Sequence, residues 1–513
     1  MKIRVPGMLI LLSLFFAGCK PEEEEITPIE YVPIDLVAFA KNLHGFNLLG
    51  KYDVGWSNPG FTEEDFIIIS ELGFNFARLP LDYRTYTQAG NWDAFVDHEI
   101  EEIDRAVEWG KQYGVHVSIC LHRAPGYCVN PTSLPLNQNI DLWTNPKAQE
   151  AFLNHWTFFA NRYKDIPNTE LSFNLVNEPN TNVDEPAYVN VMQKAIDMIH
   201  SINPNRIIFV DGLEYSRKLV LSLKNSRNII QALHAYEPFR LTHYKASWVD
   251  GSDTWPVPFW PMLDISQYLF GPVQNDYQSE MVLEGNFIEG SEVIINVHQV
   301  SNAITLQIKL DDGPIYSKIF QCGSELGSDW TEIIYNSQWS IYQNISGKDY
   351  SVTLPAAGTK LTFAVPQGDW MTFNKITIKS DTGSLEIVPG NTAWGSMQDT
   401  YKITSAGKIT DVDGNPVVAL GSIQTTFETA ETEGIPIMIQ EFGVHNQTPH
   451  DVSLAFLTDL VDVFRRNDIG YAMWNLTGSI GIINSDRADC DYEIYRGNEL
   501  DRQMLEILQG FAN

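Results

Sequence analysis

Two glutamates, Glu178 and Glu441, each follow a short apolar run. The first lies in Phe173-Asn174-Leu175-Val176-Asn177-Glu178-Pro179, the second in Ile437-Met438-Ile439-Gln440-Glu441-Phe442-Gly443. In a barrel of parallel strands, a carboxyl at a strand end opens onto the face where ligands bind. Two such carboxyls facing each other can cleave an acetal: one protonates the departing oxygen, and the other attacks the anomeric carbon. The retaining form of this chemistry needs them about 5–5.5 Å apart. It also needs two environments different enough that one carboxyl is protonated while the other is ionised. A single strand-end glutamate could equally cap a helix or pair with an arginine, so the surrounding residues decide.

The elements that would place these glutamates form a parallel α/β pattern, with short β-rich runs alternating with amphipathic helical ones. Eight runs predict barrel strands: Leu43 to Asn47, Phe74 to Leu79, Val115 to Leu121, Leu171 to Val176, Ile207 to Val210, Ile230 to Tyr236, Ile435 to Ile439 and Gly470 to Trp474. Helical spacing falls between them. Ile100, Ile103, Val107 and Trp109 lie near one face, and Phe456, Leu457, Leu460, Val461 and Phe464 repeat at i, i+3, i+4. Leu500 to Phe511 predicts a closing helix. One interval breaks the rhythm: Tyr236 and Glu441 are 205 positions apart, where a barrel of ~250 residues spends ~30 on each unit. Within it Ile304, Leu306, Ile308 and Leu310 alternate with Thr305, Gln307 and Lys309 and run into the turn Asp311-Asp312-Gly313; Leu361, Phe363 and Val365 alternate again. The reading is a (β/α)8 TIM barrel over 36–271 and 391–513, with an all-β sandwich at 272–390 inserted in the loop after strand 6. A helix around Ser422 to Glu433 resumes the barrel.

The N-terminus reads as an address. Lys2 and Arg4 precede an apolar stretch from Met8 to Phe16, and Phe16-Ala17-Gly18-Cys19 has the form of a lipobox that would leave Cys19 lipidated. Residues 1–18 are then a lipoprotein signal peptide, and 19–35, with the run Glu22 to Glu25, an acidic tether. That run resembles the export signal of surface-exposed outer-membrane lipoproteins. The expected location is the outer membrane, with membrane contact only through the lipid. The net charge of −31 and pI ≈ 4.6 repel phosphate backbones, which excludes nucleic acid as a partner. Cys120, Cys128, Cys322 and Cys490 lack zinc-ribbon spacing and are too few for a disulfide scaffold. Cys120 and Cys128 could pair across a loop or remain buried thiols.

With its context, the glutamate pair becomes specific. Arg78 lies in Phe76-Ala77-Arg78-Leu79-Pro80, His122 in Leu121-His122-Arg123-Ala124-Pro125-Gly126, and Asn177 directly precedes Glu178. His234-Ala235-Tyr236 ends strand 6, and Trp474 ends strand 8. In these eight positions, in this order on these strands, the chain resembles glycoside hydrolase family 5 over roughly 36–268 and 392–511. The resemblance implies a retaining β-glycosidase with Glu178 as general acid/base and Glu441 as nucleophile. Arg78 would hold Glu441 ionised, and Tyr236 would donate a hydrogen bond to it. Asn177 would bind the sugar 2-hydroxyl, His234 would tune Glu178, His122 would bond a sugar hydroxyl or brace the network, and Trp474 would offer a flat apolar face to a pyranose. The implied substrate is a β-linked glycan, cellulose-like or mannan-like, cleaved without a cofactor.

Other signals carry less. Trp248, Trp255, Phe259 and Trp260 could be sugar platforms or the joint between barrel and insertion. Trp330, Tyr335, Trp339 and Trp370 could bind carbohydrate or fill the sandwich core. Asp411-Val412-Asp413-Gly414-Asn415-Pro416 lacks the glycine and bidentate glutamate of a calcium loop and reads as a turn. No His-x-His or His-Glu-x-x-His is present, so a metal-dependent hydrolase is not expected. A non-catalytic sugar-binding lipoprotein and a transglycosylase are the alternatives to hydrolysis.

Overall fold

The computed structural model describes residues 29–55, 59–129, 140–381, 383–414, 417–418, 420 and 423–510. The N-terminal apolar stretch, Cys19 and the acidic run lie outside the described residues. Among the described residues, no helix is long and apolar enough to cross a membrane.

Eight parallel strands close into a barrel: His44–Asn47, Phe76–Asp82, His116–Ala124, Leu171–Asn174, Ile208–Asp211, Ile229–Ala235, Ile437–Phe442 and Tyr471–Met473. They are called barrel strands 1 to 8 below. Each pairs with its neighbours in sequence, and strand 8 pairs back to strand 1, which closes the sheet. Every residue of strands 2, 3, 6 and 7 is buried, the reason they read as near-continuous apolar runs.

Helices fill the outer ring where local signals start and stop them. Glu63–Glu71 opens on a capping box between Thr62 and Asp65, and Pro146–Arg162 on an Asn145 cap with proline at its first position. Asp97–Tyr113 turns Ile100, Ile103, Ala106 and Val107 inward and stops at left-handed Gly114. His450–Arg466 buries the predicted face of Phe456, Leu457, Leu460, Val461 and Phe464.

Between barrel strands 6 and 7 stands a separate unit of two main sheets. One has five strands, centred on Glu292–Val300 and Trp370–Ser380; the other has six, centred on Ala303–Leu310 and Gly358–Gly368. The alternation read in the sequence is met residue by residue: Ile304, Leu306, Ile308 and Leu310 are buried. Asp311 and Asp312 both take positive φ, as a tight hairpin turn requires. The strands extend beyond 272–390, from Leu263–Ser266 to Ile409–Thr410. Leu263–Ser266, Tyr268–Phe270, Pro389–Asn391 and Thr400–Ile403 are each four residues or shorter, too short to show a period of their own.

Candidate active site

Glu178 and Glu441 meet at the mouth of the barrel. Glu441 is the fifth residue of strand 7; Glu178 stands four residues past strand 4. One oxygen of each, together with a ring nitrogen of His234, lies within 4.8 Å of the others. That separation fits the retaining geometry and is well short of the ~6.5–9.5 Å that leaves room for a water between inverting carboxyls.

The two carboxyls have different surroundings. Arg78 Nη1 donates to Glu441 Oε1 at 2.6 Å, and Tyr236 Oη donates to Oε2 at 3.2 Å. Glu178 faces His234 instead, its Oε1 lying 2.7 Å from Nδ1, and its side chain is 16% exposed against 4% for Glu441. Burial pushes the Glu441 carboxyl up to about 7, while His234 and Arg78 pull it down. Arg78 alone thus does not hold it in the ordinary carboxylate range, because desolvation outweighs the guanidinium. Burial disfavours a charge on His234, but the carboxylates of Glu441, Glu178 and Asp211 outweigh it and raise its proton affinity. His122 is shifted the other way, by burial and then by Arg123 and Arg78.

All eight positions read from the sequence gather at this mouth. Asn177 Oδ1 accepts from Arg78 Nη2 at 2.7 Å. The His122 and Trp474 rings lie 5.3 Å apart, and Tyr52 closes the group at 5.8 Å and 6.1 Å. His122 Nδ1 and Asn177 Nδ2 are buried and carry no hydrogen bond within the protein; sugar hydroxyls are partners that such groups accept.

Sequence reasoning missed the residues that hold this set in place. Asn47, at the end of strand 1, accepts from Arg78 Nη1 at 3.0 Å and donates to the carbonyls of Gln440 and Met473. Asn174 accepts from Arg78 Nε at 2.9 Å. The sulfur of Cys120 lies 3.1 Å from Arg78 Nη2, and Cys120, Cys128, Cys322 and Cys490 form no disulfide. Asp211, at the end of strand 5, accepts from the main chain of Glu178. Part of the signal was present: Asn47 and Asp211 are polar residues closing apolar runs, as Glu178 and Glu441 are, whereas Asn174 lies inside the run Leu171 to Val176.

The softer aromatic readings separate. Trp260 packs on Phe456 and donates to Asp459, a joint to the barrel. Trp248 is 46% exposed and stands 5.0 Å from His445, beyond strand 7. Trp330 belongs to the sandwich core, whereas Tyr335 and Trp339 are exposed.

Among the described residues, two groups of side chains have spacing a metal ion could use. In Glu178, His234 and Glu441 the Arg78 guanidinium already occupies Glu441, and a second cation there would meet its charge. In His450, Cys490 and Asp501, Asp501 already accepts from His450 Nε2 at 2.8 Å and caps the helix Arg502–Gln509.

Residues 34–257 match the family model described as cellulase (glycosyl hydrolase family 5). Endoglucanase C of Acetivibrio thermocellus is 30% identical over 226 residues, 42% of this chain and 63% of that protein. Endoglucanase 3 of Fibrobacter succinogenes is 29% identical over 236 residues, 43% of this chain and 34% of that one. A probable glucan 1,3-beta-glucosidase A of Aspergillus terreus is 28% identical over 197 residues, 38% and 47% of the two chains. The chain therefore spans less than two thirds of the length of these relatives. Among solved structures, a glycoside hydrolase superposes with a TM-score of 0.57 at 22% identity, covering 91% of this chain and 98% of that one. Cel5A of Thermotoga maritima, solved in mutant form with cellobiose, gives 0.52 at 17% identity over 93% and 99%. At these identities the likeness is one of fold. The part of the chain that matches the family 5 model, residues 34–257, runs from just before barrel strand 1 to just past strand 6.

Proposed function

We propose that the chain is a retaining glycoside hydrolase of β-linked glucan, with Glu178 as general acid/base and Glu441 as nucleophile. The observation that carries this reading is the glutamate pair within 4.8 Å, one carboxyl on Arg78 and Tyr236, the other on His234. Glu441 attacks the anomeric carbon while Glu178 gives its proton to the departing oxygen. The glycosyl–Glu441 ester is then hydrolysed by a water that gives its proton to Glu178. Two inversions return the β configuration. The relatives named as endoglucanases and glucan 1,3-beta-glucosidases favour glucan over mannan as the substrate.

The test is hydrolysis of a panel of β-glucans, mannan and aryl β-glycosides by the purified chain, with the anomer formed first followed by NMR. Glu178→Gln and Glu441→Gln are each expected to lower the rate on the preferred glycan at least ~10³-fold. Full activity in Glu441→Gln, or an α first product, would overturn the assignment.

The same proposal places the enzyme on the outer membrane, held by lipid on Cys19; its support is the basic start, the apolar run and Phe16-Ala17-Gly18-Cys19. Intact-mass analysis of membrane-extracted protein should find a diacylglyceryl-type adduct that Cys19→Ala abolishes. An unmodified Cys19 in the membrane fraction would sink it.

A further inference from the structure

We propose that Asp211 is a positioning residue for the acid/base: its buried carboxylate fixes the main chain of Glu178 and faces the far nitrogen of the imidazole that touches Glu178. This rests on the function proposed above and adds a ninth residue to the eight read from the sequence.

Asp211 is fully buried at the end of barrel strand 5. Its Oδ2 accepts from Glu178 N at 2.8 Å and from Ser216 Oγ at 2.8 Å, and its Oδ1 accepts from Asn174 Nδ2 at 2.7 Å. His234 Nε2, which makes no hydrogen bond within the protein, lies 3.6 Å from the same Oδ2. Two strained stretches converge here. Glu178 has a φ of 46°, and Glu214, Tyr215 and Ser216 have φ of 55°, 62° and 58°. Left-handed backbone is strained for a non-glycine residue and persists only where surrounding bonds over-determine it. The Glu178 N–H bond to Asp211 is such a bond. The turn at 214–216 delivers a second donor to the carboxylate, and Tyr215 N also bonds the carbonyl of Pro179, just after Glu178.

In the first step Glu178 loses its proton to the glycosidic oxygen, the bond from that oxygen to the anomeric carbon breaks, and the new carboxylate is left 2.7 Å from His234 Nδ1. A proton on Nδ1 stabilises that carboxylate. Asp211 on the far side of the ring, facing Nε2, favours the imidazolium, which carries a proton on Nδ1 as well as on Nε2, as a buried carboxylate stabilises the imidazolium in other catalytic groups. An amide cannot replace this carboxylate. Both oxygens accept from donors, so the NH₂ of an asparagine would oppose either Asn174 Nδ2 or Glu178 N.

The test uses two β-cellobiosides or β-laminaribiosides, one leaving as 2,4-dinitrophenolate, which needs no acid, and one as a simple alcohol. Asp211→Asn is expected to lose ~100-fold in kcat/KM on the alkyl glycoside and under ~5-fold on the dinitrophenyl one. Its Glu441 should still be labelled by the 2,4-dinitrophenyl 2-deoxy-2-fluoro glycoside within ~5-fold of the wild-type rate, read by intact mass. Ser216→Ala, which removes one donor from Oδ2, should show the same selectivity at ~5-fold, and carries the test alone if Asp211→Asn does not fold. Equal losses on both glycosides, or no selectivity in Ser216→Ala, would overturn the role. A wild-type chain inert toward both would overturn the function itself, and this role with it.

Discussion

Burying a guanidinium costs several kcal/mol unless its charge and its donors are both matched. Arg78 is fully buried, and its five N–H groups go to Asn174, Asn47, Glu441, Cys120 and Asn177. The arginine thereby fixes one residue at the end of strand 1, one on strand 3, two on or after strand 4 and the Glu441 carboxyl on strand 7. Its effect on that carboxyl is more limited. Desolvation dominates, so the Glu441 pKa rises to about 7 against an ordinary 4.5. As the proposed nucleophile, Glu441 must be ionised, so activity should grow as pH rises through this raised value. The acid limb of kcat/KM is expected near pH 7, not near 4.5; a limb at the ordinary value would mean that Arg78 and His234 outweigh burial. The sign for stability is opposite. Between 4.5 and 7 the native state binds more protons at this site than the unfolded chain does, so the group's contribution falls as pH rises through that window. The contacts of this site were legible where the resemblance implied a partner, as with Arg78 on Glu441. The pKa was not, because it depends on burial summed over the whole barrel mouth.

At the scale of elements, the seam between strands 7 and 8 has the shortest ladder in the barrel. Strand 8 is three residues long, and its ladder to strand 7 is the single pair Ile439 and Tyr471. The Asn47 side chain laces the gap from the neighbouring strand, donating to Gln440 O at 2.8 Å and Met473 O at 3.0 Å. Asn47→Ala leaves two carbonyls and one Arg78 donor without that partner. The expected cost is ~2–4 kcal/mol of barrel stability. It should be accompanied by faster amide exchange at Ile439 and Trp474, whose N–H groups bond Gly470 and Phe442 across this seam. A stable variant with unchanged exchange there would show that the seam holds without the asparagine. All eight barrel strands were legible, because parallel strands buried on both faces leave unbroken apolar runs. Short strands were not: Thr400–Ile403 is held by pairing with Met281–Phe287, more than a hundred residues away, and nothing in four residues announces such a partner.

At the scale of the whole molecule, the described residues form two large cores that share no buried residue. One runs through the barrel and contains nothing from 263 to 409; the other spans Leu263 to Ile409 and lies wholly in the inserted unit. Units with separate cores fold separately in principle, so where the chain is cut should matter more than how much is removed. Excising 272–390 takes Trp370–Ser380 from Tyr268–Phe270, Met281–Phe287 from Thr400–Ile403 and most of Pro389–Asn391 from Leu263–Ser266, and exposes unpaired edges that invite aggregation. Excising 262–417, with a short Gly-Ser linker from Pro261 to Val418, removes the second core whole and retains Trp260 and Val418, which pack on the first. Calorimetry should resolve two transitions in the full chain and one, at the barrel's position, in the longer excision, with the shorter excision aggregating. The insertion leaves from the loop after strand 6, on the face that carries Glu178 and Glu441. The longer excision should therefore keep its rate on dinitrophenyl glycosides, which need little beyond the glutamate pair, and lose rate on polymeric glucan. Equal retention on both substrates would confine the insertion to a role away from the cleft, and a barrel that fails to fold after the longer excision would show that the two cores depend on one another.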